Sequence, residues 1–185
     1  MNKKELVTPI SKKKRGVVRE EPKQPNACKT IKNCRDPLFV GIDPSINATA
    51  IIVLDQNANI IEQKLFSVKS EKFEEALLKY EKEISFIPKI ISLQSVYLEG
   101  PAYQATGKVI LQMGALHYIT RLFLFKSEKK YKIIAPGSLK KFVTGKGNSK
   151  KELMLLKAYK KWGVEFEDHN LCDAYGLARM ALEEY

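Results

Sequence analysis

Short continuous apolar runs come first along this chain and apolar positions at helical spacing dominate later, and this change predicts the order of its elements. Three runs rich in β-branched residues come first, at 38–43, 49–54 and 60–66, and their length and composition are typical of strands. The segment 55–59 between the second and third runs is rich in Asp and Asn. These residues favour turns, so the sequence predicts a hairpin there.

Helical spacing dominates the rest of the chain. Apolar residues recur on one helical face between 73 and 84, and Ser70 is placed to cap that helix. Ser149 and Glu152 have the spacing of a capping box. The remaining pattern predicts strands at 96–99 and 131–135, helices at 105–126, 149–162 and 171–184, and a short helix or turn at 136–143. Three strands followed by strands alternating with helices predict an α/β fold, a mixed five-stranded sheet flanked by helices.

The N-terminal segment differs from this pattern. Residues 1–36 show no periodicity and are rich in Lys and Pro, which predicts a flexible basic arm before a single domain at 37–185. The arm holds 11 Lys/Arg and 4 Asp/Glu, so +7 of the total net charge of +11 lies there. A basic chain favours a polyanionic partner, and such an arm attracts phosphates without regard to sequence.

Three carboxylates stand at the ends of apolar runs. Asp43 and Glu99 each close a run that predicts a strand, and Asp173 opens the last helix-periodic run. A carboxylate at the end of a buried strand is costly to desolvate unless a cation shares its site. The sequence therefore predicts that Asp43, Glu99 and Asp173 bind divalent metal. Metal-binding carboxylates in a basic protein indicate a nuclease that cuts phosphodiesters.

Each acid also has a simpler interpretation. Asp43 could be a turn residue before Pro44, Glu99 could pair with a lysine, and Asp173 could be an acid favoured by the helix macrodipole. We prefer the metal interpretation because a single site explains all three acids together.

The order of short motifs resembles the RuvC-like Holliday junction resolvases of the RNase H superfamily, with phage-encoded members the most similar in character. The resemblance rests on GIDPS at the end of the first strand, LEG at the end of the fourth, IAPGSLKKFVTGKGNSKKEL, and CDAYGLA, and it spans roughly residues 38–184. The third motif is the most specific. Its Pro136, Lys140, Gly145, Gly147 and Lys151 match the family's proline, short-helix lysine, Gly-x-Gly loop and following lysine.

The resemblance implies an RNase H-like fold and a homodimer with two active sites. It further implies dependence on Mg²⁺, with Mn²⁺ as a substitute, and paired nicks across a four-way DNA junction. Asp43, Glu99 and Asp173 fall on the metal-binding carboxylates of the family. The expected function is a structure-selective endodeoxyribonuclease acting on four-way or other branched junctions. The alternative is a non-cleaving module that only holds branched DNA, although clustered negative charge would not help such a module.

The fourth ligand is left open by the sequence. Many family members have an acid or a His three residues before the last Asp, where this chain has Asn170. Asp168, His169 and Asn170 are therefore all candidates. We include Asp168 with the catalytic and metal-binding acids, with a simple N-cap as its alternative role.

Five further residues are candidates for DNA contact. Lys140, Lys146, Lys150 and Lys151 surround the Gly-x-Gly loop, which favours phosphate contact over an ordinary solvated face. Tyr103 follows the Glu99 strand, where family members place an aromatic residue near the junction centre. Stacking on an unpaired base and burial in the core are equally good interpretations of Tyr103.

The long helix and the overall composition bear on partners and location. Residues 109–125 are apolar on more than one helical face, which predicts a homodimer interface there. No run approaches the roughly 20 apolar residues that span a bilayer. The three cysteines are odd in number, and no secretory signal is visible. We expect no membrane partner and no small-molecule cofactor. The expected location is the cytoplasm of a bacterial or phage-infected cell, or the nucleus for a eukaryotic or viral source.

Overall fold

A computed structural model describes residue 31, residues 34–101 and residues 107–185. This part of the chain forms five strands, five α-helices and one 3-10 turn at Ile87–Lys89. The strands are β1 Leu38–Asp43, β2 Thr49–Asp55, β3 Ile60–Phe66, β4 Leu93–Glu99 and β5 Tyr131–Ile134. The helices are α1 Phe73–Ile84, α2 Lys108–Lys126, α3 Pro136–Thr144, α4 Lys151–Trp162 and α5 His169–Glu183. Most of the predicted arm lies outside the described residues.

The strands form one mixed sheet in the order β3-β2-β1-β4-β5. Pairing is antiparallel between β1 and β2 and between β2 and β3, and parallel between β1 and β4 and between β4 and β5. The predicted hairpin is confirmed, because the Asp55 carboxylate accepts the backbone N–H groups of Asn57 and Asn59 at the turn. The mixed five-stranded sheet flanked by helices, predicted from the sequence, is likewise confirmed.

Every residue of β1 is buried, because helices cover both faces of the central strands. Val40 and Ile42 point to the face covered by α1 and α2, where they pack with residues such as Tyr80 and Leu116. Phe39 points to the opposite face and packs in a second cluster with residues of α3, α4 and α5. We call these the α1–α2 face and the α5 face.

Several predicted element boundaries were wrong. Ser70 does not cap α1, because the helix begins at Phe73 and the Ser70 hydroxyl donates instead to the Glu75 carboxylate. Ser149 does not form a capping box, since Lys150 is the N-cap residue of α4 and its side chain makes no cap hydrogen bond. Strand β4 starts three residues before its predicted start at residue 96.

Helix α5 starts two residues before its predicted start at residue 171. Among the described residues, no helix combines the length and the apolar character that crossing a membrane would require.

Candidate metal centre

Two of the three predicted metal-binding acids are neighbours because their strands are parallel. Ile42 of β1 is paired with Leu98 of β4, so the next residues along the two strands, Asp43 and Glu99, end side by side. Both strands alternate between the two faces of the sheet, and Asp43 and Glu99 therefore lie on the α5 face. Asp173 comes to the same place from the first turns of α5.

The three carboxylates form a compact cluster. One oxygen from each of Asp43, Glu99 and Asp173 lies within 4.8 Å of the others. Burial raises the pKa of Asp43 well above its usual range, and the neighbouring Glu99 raises it further. Burial also raises the pKa of Glu99. Burial, followed by Glu99, raises the pKa of Asp173 to about 7.

These residues fit a divalent cation. Like charges crowded in a desolvated site strongly disfavour one another, and a bound cation removes that penalty. Oxygen-only donors are those that hard cations such as Mg²⁺ and Mn²⁺ prefer. Each predicted acid of the trio is therefore brought into a site able to hold metal.

Gly41 explains how α5 comes close to Asp43, the carboxylate on β1. A Cβ atom added to Gly41 would lie 2.0 Å from the carbonyl oxygen of Ala174 and 2.5 Å from the backbone nitrogen of Ala178. The backbone of α5 thus lies directly against the backbone of β1. Since Asp173 immediately precedes Ala174, this contact sets the distance from Asp173 to Asp43.

The candidates for a fourth ligand lie at the start of α5. Asp168 is the N-cap residue, and its Oδ1 accepts the backbone N–H groups of Asn170 at 2.8 Å and Leu171 at 3.4 Å. The Asn170 side chain donates to the same oxygen. Asp168 contributes to the raised pKa of Asp173, so it is near the cluster, and its role as a ligand stays a prediction. Within the described residues, Nδ1 of His169 is buried and has no hydrogen-bond partner.

Two of the predicted DNA-binding lysines lie beside the acids. The charges of Lys140 on α3 and Lys151 on α4 each lower the pKa values of Glu99 and Asp173, against the larger effect of burial. Lys146 and Lys150 are exposed in and after the loop that joins these helices. Tyr103 lies outside the described residues.

A set of hydroxyl hydrogen bonds, missed in the sequence, closes the loop between α3 and α4. Thr144 Oγ1 accepts the N–H of Lys146 at 3.1 Å and lies 2.6 Å from Ser149 Oγ. The Ser149 hydroxyl donates to the Lys146 carbonyl at 2.8 Å, and Ser149 is buried. We call this set the hydroxyl clasp. It joins the end of α3 to the start of α4, the two helices that carry Lys140 and Lys151.

No protein-family model and no curated protein matches the chain in sequence. Solved structures do match it in fold. The RuvC structure from Thermus thermophilus superposes with a TM-score of 0.65 at 16% identity, covering 76% of this chain and 90% of that one. The yeast mitochondrial Holliday junction resolvase gives a TM-score of 0.57 at 11% identity, covering 84% of this chain and 85% of that one.

The fowlpox virus resolvase, solved with Holliday junction DNA, gives a TM-score of 0.51 at 13% identity, covering 80% of this chain and 97% of that one. Identities this low establish the fold alone. The chain therefore has the RuvC-like fold that its short motifs predicted.

Proposed function

We propose that this chain is a metal-dependent endonuclease that resolves four-way or other branched DNA junctions by paired nicking. The observation that carries the proposal is the cluster of buried Asp43 with the partly buried Glu99 and Asp173, next to a lysine-rich loop. The fold supports it as well, because the solved structures that it resembles include the yeast mitochondrial Holliday junction resolvase and the fowlpox virus resolvase bound to Holliday junction DNA.

Asp43, Glu99 and Asp173 would hold Mg²⁺, or Mn²⁺ in its place, with Asp168 as the fourth acid. When bound, the cation supplies a Lewis acid for the phosphate and a water of lowered pKa as nucleophile. The chain itself contributes position and charge. Lys140 and Lys151 place positive charge beside the acids, where the phosphate of the substrate brings negative charge.

The proposal includes further DNA contacts. Lys146 and Lys150 bind neighbouring phosphates, and Tyr103 stacks on an unpaired base at the junction centre. Residues 1–36 form a basic arm that attracts DNA of any sequence. Such an enzyme acts where branched DNA arises, in the cytoplasm of a bacterial or phage-infected cell or in a nucleus.

Paired nicking needs two copies, and α2 offers a surface for the second one. Its exposed apolar residues include Leu111, Tyr118, Leu122 and Phe125, which are 50% to 75% exposed. Their spacing of seven, four and three residues places them in one stripe along the helix. A four-way junction has near two-fold symmetry, so a symmetric dimer through this stripe would present two equivalent sites.

Asp43→Asn tests the proposal at its centre. Loss of a ligand should slow nicking of a synthetic four-way junction in Mg²⁺ by at least about a hundredfold. Junction binding in Ca²⁺ should stay equal or tighten, because one negative charge facing phosphate is gone.

Nicking should be measured on a panel of four-way, three-way, flap and linear duplex DNA. Undiminished nicking by Asp43→Asn would contradict the metal assignment. Junction binding by the wild type without nicking of any substrate would favour the non-cleaving module.

A further inference from the structure

The positive charge of the folded domain is concentrated in α3, α4 and the loop between them. Residues 136–163 contain eight Lys and one Glu, a net charge of +7. Residues 37–185 contain 21 Lys/Arg and 17 Asp/Glu, a net charge of +4. The rest of the domain is thus negative by three charges, and this unit is its basic surface. Only part of that charge lies beside the carboxylates.

Further lysines continue along α4, away from the metal centre. At 100° per residue, Lys150, Lys157 and Lys161 lie within about 40° of one another around the helix, with Lys160 next to them. Lys161 lies 4.2 Å from the Phe142 ring centroid of α3, so this side of α4 faces α3. We call Lys150, Lys157, Lys160 and Lys161 the lysine track.

The track is free of protein counter-charges. The ion pairs among the described residues join Lys64 to Glu83, Lys132 to Glu184 and Arg179 to Glu183, and none involves the track. Like charges three and four residues apart on a helix destabilise it unless an anion compensates them. An external polyanion would supply that compensation.

The dimensions of the track suit a rigid polyanion. Eleven residues separate Lys150 from Lys161, about 16 Å at 1.5 Å per residue. This length corresponds to about five base pairs of duplex at 3.4 Å each. The track begins next to Lys151, which lies beside the carboxylates, and a helix holds its lysines at fixed spacing.

We infer that the lysine track binds the phosphate backbone of one duplex arm of branched DNA, about three to five base pairs beyond the phosphates contacted at Lys150. The inference rests on the proposed function for its substrate. It assigns to Lys157 and Lys160 a role in holding the arm, separate from that of the lysines beside the carboxylates.

The test combines a protein variant with DNA whose phosphates are neutralised locally. The double variant Lys157→Gln/Lys160→Gln keeps the side-chain stems and removes two charges. Short patches of methylphosphonate are placed at successive positions along one junction arm, and affinity is measured in Ca²⁺. The matched control is Lys79→Gln/Lys82→Gln, which changes two exposed lysines of α1 on the other face of the sheet.

For the wild type, we expect patches about three to five base pairs beyond the Lys150 contacts to weaken binding by about threefold to tenfold. The affinity of the double variant for unmodified DNA should fall by a similar factor, and the methylphosphonate patches should lower its affinity little further. Its salt dependence should fall by about two units in log–log slope. The α1 control should behave as the wild type does.

Equal sensitivity of wild type and double variant to every patch would overturn the inference and make the track a solvated face. Nicking in Mg²⁺ separates this failure from failure of the proposed function. If the wild type nicks junctions but is no more sensitive to the patches than the double variant is, the arm contact alone would be refuted. A wild type that is more sensitive to the patches than the double variant but nicks nothing would refute the nuclease and keep the arm contact.

Discussion

The two faces of the sheet are built from the same strands and differ in almost every other respect. The α1–α2 face is filled with large side chains such as Ile42, Ile51 and Tyr80, which hold the helices away from the strands. The α5 face replaces bulk by Gly41 and by Ala174 and Ala178, so that helix and strand backbones touch. The acids lie on the α5 face, and the exposed apolar stripe of α2 lies on the α1–α2 face.

This difference teaches how one sheet can serve two purposes. Here the carboxylate of α5 comes within reach of those on β1 and β4 where the backbones approach closely, and small residues permit that approach. Large side chains fill the α1–α2 face, and α2 keeps an exposed apolar stripe on its outer side. We expect changes to one face to leave the role of the other intact.

Gly41→Ala should produce the largest effect, because it disrupts the packing of α5 on the sheet and leaves the α1–α2 face unchanged. The added methyl would overlap backbone atoms of α5, so we expect a loss of at least about 3 kcal/mol in the free energy of unfolding. Metal affinity should fall as Asp173 is pushed away from Asp43. Urea unfolding and metal titration measure the two effects.

Gly137→Ala is the matched control for Gly41→Ala. A Cβ atom there would meet only the Gly147 carbonyl oxygen at 3.7 Å, an ordinary contact. The control should be neutral or stabilising by up to about 1 kcal/mol. If Gly41→Ala were tolerated equally well, the close approach of α5 would not set the site.

Leu111→Glu should disrupt the proposed dimer interface on α2 and leave the three acids on the α5 face unchanged. This side chain is 75% exposed on the α2 stripe, and in a two-fold dimer the change occurs twice. Loss of two buried leucines should weaken the dimer by at least about a hundredfold.

Sedimentation velocity with and without junction DNA measures the oligomeric state of Leu111→Glu. Metal binding should be unchanged, and paired nicks should become single ones. Leu156→Glu on α4 is the matched control and should leave the dimer intact. A dimer that survives Leu111→Glu would move the interface away from α2.

The stability of the metal-free protein should depend on pH because Asp173, on the α5 face, titrates differently in the folded and unfolded states. The pKa of Asp173 is raised to about 7 in the folded state, so folding favours the protonated acid. Protonated Asp173 makes its full contribution to the free energy of unfolding below about pH 4, where the unfolded chain is also protonated. This contribution is lost as pH rises through 7. Compared with Asp173→Asn, the melting temperature of the wild type should drop by about 5 °C from pH 5 to pH 8.

Adding Mg²⁺ at pH 8 should reverse this drop in the wild type. Ile51→Val on the α1–α2 face should lower the melting temperature by a similar amount at both pH values. A difference between wild type and Asp173→Asn that does not change with pH would show that the acids are not crowded in the folded protein.

Lys140→Ala and Lys151→Ala, beside the acids on the α5 face, should have the smallest effects. Each should weaken junction binding by about threefold to tenfold and reduce the log–log salt slope by about one unit. Fluorescence anisotropy over a range of salt concentrations measures both quantities. Lys79→Ala on the opposite face should change neither. Unchanged slopes for both Lys140→Ala and Lys151→Ala would remove these lysines from the DNA interface.

Local sequence patterns were sufficient for the sheet and for the acids. The continuous apolar runs of β1 and β2, which are buried throughout, and the helical spacing of α1 and α5 leave a direct trace in the sequence. The clustering of Asp43, Glu99 and Asp173 could be predicted because acids at the ends of buried elements are costly without a partner, and their binding of metal stays a prediction.

Features that depend on tertiary contacts were missed or misassigned. Ser149 has the spacing of a helix cap, yet its hydroxyl serves the Lys146 carbonyl and Thr144 across a closed loop. That choice depends on where α3 ends, which local spacing does not encode. Likewise, the tolerance of Gly41 for a helix backbone is visible only once α5 is in place.

The close contact at Gly41 also orders events during folding. Asp43, Glu99 and Asp173 are spread over 131 residues of chain, and α5 must dock before the last of them arrives. Contacts between such distant segments form late and slowly, after local hairpins and helices. During synthesis, strands β1 and β4 emerge long before α5, so a nascent chain has two of the acids without the third. The proposed cutting activity would therefore appear only at the end of folding, when the basic surface and the acids are already held together.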